Sequence, residues 1–179
     1  MVEQLLNVQT LIWLFPIVFV FHDLEEIIMV EKWMEKHSSV IHGKLPSKFA
    51  DRVIKQFSMS TAQFSVAVMV IFVFVSSSTY MASQYLNSGP LGNIYLFTVM
   101  NTVFFIHVFT HVGQSVLLKS ITPGVVTSVL LVLPYSILLF YSLLKHLIID
   151  WTTISISLPF MILLLPVLMF AHWIGKKAV

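Results

Sequence analysis

Five long apolar runs constrain this chain more than any other feature. They lie near Val8–Val30, Phe57–Tyr80, Asn93–Leu118, Gly124–Leu144 and Thr152–Gly175. Each reaches the roughly 20 helical residues that a hydrocarbon core requires. A backbone in lipid must satisfy its own polar groups, and a helix does this within one segment. Composition agrees: 58% of residues are hydrophobic and 10% charged, against about 45–50% and 25% in soluble domains. The expectation is an all-α membrane protein, a bundle of five transmembrane helices with residues 1–179 as a single domain. Pro16, Pro134, Pro159 and Pro166 fall inside the runs and are expected to kink them. The chain has no cysteine, which excludes disulfides, thiolate metal sites and cysteine nucleophiles.

Charge gives an orientation. Residues 31–56 form a basic loop with Lys32, Lys36, Lys44, Lys48, Arg52 and Lys55. In a five-span chain Lys119, Lys176 and Lys177 lie on the same side, leaving only Lys145 of the 10 basic residues opposite. The positive-inside rule then puts the N-terminus outside and the C-terminus in the cytoplasm, in a cell membrane. Within the loop, Pro46-Ser47 opens a helix, SKFADRVIKQF, with an apolar stripe of Phe49, Val53 and Phe57. A short amphipathic helix on the inner membrane face is expected there. The net charge of +2 gives no reason to expect a nucleic-acid partner.

One turn of the first run carries His22, Asp23, Glu25 and Glu26, within FHDLEEII at residues 21–28. A charge near the bilayer centre costs about 2.5–3.5 kcal/mol on insertion scales, so these residues need partners. His22 stands i,i+3 from Glu25 and i,i+4 from Glu26, so the three share a helix face, while Asp23 points a quarter-turn or more away. The third run supplies a complement in NTVFFIHVFTHVGQS, Asn101 to Ser115, where His107, His111 and Gln114 share another face. At about 1.5 Å per residue, Glu26 and His22 lie roughly 8 and 14 Å from the cytoplasmic edge, and His111 and His107 roughly 12 and 18 Å. Gln63, Thr127 and His172 fall in the same inner half. His172, beside Trp173, reads as an interfacial residue. One polar cavity opening to the cytoplasm is the expectation.

Imidazole and carboxylate together are ligands for a divalent ion, with zinc and iron the candidates. The candidate metal ligands are His22, Glu26 (or Glu25), His107 and His111. The glutamate left over is the candidate general base, so Glu25 and Glu26 are the candidate catalytic pair, in kind like the glutamate of HExxH enzymes. Asp23, Gln114, Gln63 and Thr127 are expected behind the ligands or facing substrate. A carboxylate-bridged di-iron site would use paired Glu-x-x-His motifs; here the order is reversed and occurs once.

At HDLEE the sequence resembles the family named for its HxxEE motif, small and mostly bacterial membrane proteins. HVFTHVGQS resembles that family's second polar stretch, an Asn-or-His-xxx-His-xx-Gln pattern, and ITPGVVTSVLLVLP, Ile121 to Pro134, resembles its Pro-Gly-xx-Thr segment. The resemblance covers most of the first four runs. It carries over His22, Glu25, Glu26, His111 and Gln114, and implies an enzymatic role with no established reaction.

The function expected is a metal-dependent membrane enzyme acting on a lipid-like or small hydrophobic substrate, with hydrolysis favoured over oxidation. A proton- or ion-coupled transporter using the same cluster is the first alternative. A glutamate-type intramembrane protease resembling CAAX-processing enzymes is the second; that family expects arginine where Val30 stands and phenylalanine where Val103 stands. Haem held by His22 with His107 or His111 is the weakest cofactor reading. Partners are expected to be the lipid bilayer and the hydrophobic substrate, with homo-oligomerisation left open.

Overall fold

The computed structural model describes residues 7–178, which form helices joined by short turns, with no strand among the described residues. Helix α1 spans Val8–Lys44 and is capped by Asn7, whose side-chain oxygen accepts the Thr10 N–H at 2.7 Å. Helix α2 spans Ser47–Phe57. Helix α3, Thr61–Leu86, opens with a reciprocal capping box between Ser60 and Gln63. Helix α4, Ile94–Leu118, is capped by Asn93 and ends at Lys119 in the left-handed region (φ 52°). Helices α5, Val125–Lys145, and α6, Trp151–Ala178, complete the chain. By length and composition α3, α4, α5 and α6 can each cross a membrane.

The expected loop over residues 31–56 is almost entirely helical, which corrects the first boundary. α1 does not end at Val30 but runs on to Lys44, so it is about 55 Å long against a core of about 30 Å. The charges of residues 31–44 occupy one side only. Val30, Met34 and Ile41 recur at helical spacing on the other side and are buried. His37 fills the gap between them, stacked on Trp33 at 4.4 Å and bonded to Ser120 Oγ at 3.2 Å. Glu31 fastens this continuation to α3, accepting hydrogen bonds from Thr61 N–H and Oγ1–H, both 2.6 Å. The start of α2 is Pro46 at the cap position, without a side-chain hydrogen bond.

Two of the four prolines change the helix type. Before Pro134, α5 widens into a π-turn over Ser128–Val132, with Leu133 N–H donating to Ser128 O. After Pro159, α6 tightens into a 3-10 turn at Met161–Leu163. Pro16 sits inside unbroken α-helix.

α3 packs against α1 and against the last half of α6, while α4 contacts α3, α5 and the start of α6. The α3–α6 crossing is close: a Cβ on Gly175 would lie 2.4 Å from the Gln63 carbonyl oxygen. Aromatic rings fill the centre, with Phe15 edge-on to Phe97 and to Phe104, both at 5.6 Å, and stacked on Tyr135 at 6.4 Å. His22 lies next to this cluster, 5.5 Å from Phe104, where α1, α4 and the beginning of α5 meet.

Candidate metal centre

Four side chains from two helices converge at this junction. His22 and Glu26 come from α1, and His107 and His111 from α4; their ligand atoms all lie within 4.8 Å of one another. Glu26 Oε1 is 2.9 Å from His111 Nε2, 3.6 Å from His107 Nε2 and 3.8 Å from His22 Nε2. The Nε2 atoms of His107 and His111 are 2.7 Å apart. Tetrahedral coordination with bonds of about 2.0–2.1 Å requires ligand atoms about 3.3–3.4 Å apart, so the observed separations straddle that spacing.

The protonation chemistry supports the same reading. His111 Nε2 holds at most one proton, yet it faces two lone-pair atoms, Glu26 Oε1 and His107 Nε2. His22 Nε2 is buried and has no hydrogen-bond partner at all. Protons alone leave these lone pairs poorly matched, and a cation at their common point matches them.

The ring of His22 is oriented from behind. Thr127 Oγ1–H donates to Glu25 Oε2 at 2.6 Å, so the Thr127 oxygen accepts from His22 Nδ1–H at 3.0 Å. That tautomer leaves Nε2 bare towards the cluster. Tying the outer nitrogen of a ligand histidine through a hydroxyl to a carboxylate is the usual support of metal ligands. Glu25 also accepts the backbone N–H groups of Thr127, at 2.7 Å, and Val126, at 3.3 Å. It therefore sits on the N-terminus of α5, where the helix dipole favours an anion.

The two glutamates thus separate. Glu26 joins the cluster; Glu25 does not, and its carboxylate is occupied by α5. Thr127 stands directly behind His22. Asp23 and Gln114 lie on the wall of the adjoining cavity, outside the cluster. Gln63 serves the α3 cap, with its side-chain oxygen on Ser60 N–H. His172 also lines the cavity and is hydrogen-bonded through Nδ1 to the Gln56 amide.

Gly124 is the residue that sequence reasoning left without a role. It precedes α5 with φ +81°, and a Cβ there would lie 2.7 Å from His111 Cε1 and 2.8 Å from Glu26 Oε1. Only glycine suits both the conformation and the space. The Pro-Gly pair ahead of an apolar run was the available signal, and it reads equally as an ordinary turn.

Beside the cluster is a cavity of about 620 Å³, lined mainly by apolar side chains of α1, α3, α4 and α6. At one side it meets Phe49, Val53 and Phe57, so the apolar stripe of α2 faces the cavity.

No curated protein and no solved structure matches the chain. A family model, described as a protein of unknown function with HXXEE motif, matches residues 13–139, from the first turns of α1 into α5. That span contains every residue of the cluster, with His22, Glu25 and Glu26 forming the motif itself, and the chain belongs to this HXXEE family.

Proposed function

We propose that this protein is a metal-dependent integral membrane enzyme acting on a lipid-like substrate, with hydrolysis favoured over oxidation. One observation carries the reading: three imidazole Nε2 atoms and one carboxylate oxygen converge, while Thr127 and Glu25 hold the outer nitrogen of one imidazole. A divalent ion in such a cluster supplies Lewis acidity to an oxygen-bearing substrate. His22, His107 and His111 hold it, a donor set that suits zinc, with iron the alternative. Glu26 Oε1 is then the acceptor for the proton of an attacking water. Glu25 is a positioning residue rather than the general base, because α5 occupies its oxygens. A single carboxylate in the cluster favours one ion over a carboxylate-bridged pair, and hence hydrolysis.

In this reading Val8–Val30 is a fifth span, with the N-terminus outside and the C-terminus in the cytoplasm of a cell membrane. The cluster then lies in the inner-leaflet half, and α2 rests at the inner face. The apolar cavity beside the cluster supports a hydrophobic substrate. The contacts of His111 Nε2 with Glu26 and His107 also support a second reading, a metal-free network that carries protons for transport.

Elemental mass spectrometry of protein purified without chelators separates the two. Near-stoichiometric zinc or iron, lost in His22→Ala and His111→Ala, is the expected result. Absence of metal from the wild type sinks the metalloenzyme reading and leaves the proton network.

A further inference from the structure

We infer that Asp23 determines specificity at this site: its carboxylate accepts a hydrogen bond from the hydroxyl or ammonium head of a single-chain amphiphile whose tail fills the apolar cavity. The inference rests on the proposed enzyme reading and names its substrate class.

Asp23 belongs to the cavity wall, one residue from His22 and one turn before Glu26. At about 100° per residue it lies roughly 60° from Glu26, on the side away from Glu25. Its side chain is buried, with the residue 6% exposed, and its Oδ2 atom has no hydrogen-bond partner. A buried carboxylate oxygen without a donor is costly, and a native structure retains few of them. The cluster does not use Asp23 as a ligand. Two other polar groups on the wall are engaged, Thr122 Oγ1 with Ser115 Oγ at 2.6 Å and His172 with Gln56, while Gln114 is exposed. Trp33 Nε1 is the other orphan there outside the cluster. It is a donor ten residues further along α1, about 15 Å away, too far to meet the same head group. Among the described residues no donor reaches Asp23; Oδ2 is sealed from the cavity, and a ligand head at the wall would meet the other oxygen.

The rest of the wall sets the tail. Phe19, Val30, Phe64, Ile71, Val75 and Leu168 line the space with hydrocarbon. A volume of about 620 Å³ falls in the range of about 300–1,000 Å³ typical of ligand pockets. A chain in that space with its head at Asp23 places the bonds next to the head beside His22 and Glu26.

The test is competition binding on the purified full-length protein in detergent, displacing the fluorescent fatty acid cis-parinaric acid. 1-Monooleoylglycerol and oleylamine carry a donor head; methyl oleate has the same chain without one. The wild type is expected to bind at least one donor-headed lipid about tenfold more tightly than methyl oleate. Asp23→Leu should abolish that preference while methyl oleate binds as before, and its thermal midpoint should not fall. Asp23→Asn, which still offers an acceptor, should retain part of the preference, and it decides the matter if the leucine variant does not fold. Equal binding of all three lipids to the wild type, or an unchanged preference in Asp23→Leu, overturns the inference. Metal content measured on the same samples separates the two failures. Bound metal without head-group preference overturns this inference alone. Head-group preference without metal overturns the metalloenzyme reading alone.

Discussion

Replacing Thr127 by valine tests the centre with the least change of shape. Valine keeps the β-branch, and Glu25 keeps the Thr127 and Val126 N–H groups that hold it to α5. The loss falls on the 2.6 Å bond from Thr127 Oγ1–H to Glu25 and the 3.0 Å bond from His22 Nδ1–H to Thr127 Oγ1, with a longer 3.4 Å contact to the Gly124 carbonyl. His22 Nδ1–H is then orphaned in a residue only 1% exposed. Leaving a buried group unpaired costs about 1–3 kcal/mol. Removing the residue that orients a ligand histidine typically weakens metal binding about 10–100-fold, or about 1.4–2.7 kcal/mol, so the two routes agree. The assay is zinc competition against a chromophoric chelator, with thermal midpoints measured in parallel on the metal-free proteins. Thr127→Val should bind zinc about 10–100-fold more weakly, and Thr127→Ser, which restores the hydroxyl, should return close to wild type. A valine variant with wild-type affinity would refute the claim that Glu25 and Thr127 set the orientation of His22. So would a serine variant as weak as valine.

Gly124→Ala should be more damaging than its size suggests. The left-handed backbone costs a residue with a Cβ about 1–2 kcal/mol, and that Cβ would sit 2.7 Å from His111 Cε1 and 2.8 Å from Glu26 Oε1. Zinc affinity and thermal midpoint should fall together; wild-type zinc binding would show that the approach of α5 does not shape the cluster. Glu31 offers a pH test away from the centre. The hydrogen bonds from Thr61 hold its carboxyl below the ordinary value of 4.5. Because the folded value is depressed, this tie stabilises fully above 4.5 and is lost as pH falls through the lower folded value. The difference in thermal midpoint between wild type and Thr61→Val should hold from neutral pH to the upper acidic range, then close as pH falls further. A gap that does not close would refute the assignment.

The helical class and the four helices able to cross a membrane were legible because lipid tolerates little else: the runs at 93–118 and 124–144 match α4 and α5 to within a residue or so at each end. Residues 31–44 misled because their charge was read as an average. Six of the chain's basic residues fall between positions 32 and 55, yet the helix turns Lys32 and Lys36 to one side and buries Met34 and Ile41 on the other. Periodicity held that information and a hydropathy average discarded it. The α2 stripe was readable as amphipathic, but not what it would face: a membrane surface and an apolar cavity ask for the same residues.

Within the site, spacing along each helix gave the faces but not the partners. His22, Glu25 and Glu26 lie on one broad face, and consecutive residues still diverge by about 100°. That divergence lets adjacent glutamates serve different elements. Glu26 turns to α4 and meets His107 and His111; Glu25 turns to α5 and meets its exposed N–H groups. The choice between them depends on which neighbour stands on which side of α1, and that is a property of packing. It follows that the paired acids of the motif are not redundant. Glu26 supplies an oxygen to the cluster, while Glu25 joins α5 to α1 and, through Thr127, fixes the nitrogen that His22 offers. The motif reads as half of an inter-helix joint, and the Pro-Gly-xx-Thr segment, about a hundred residues later in the chain, is its other half.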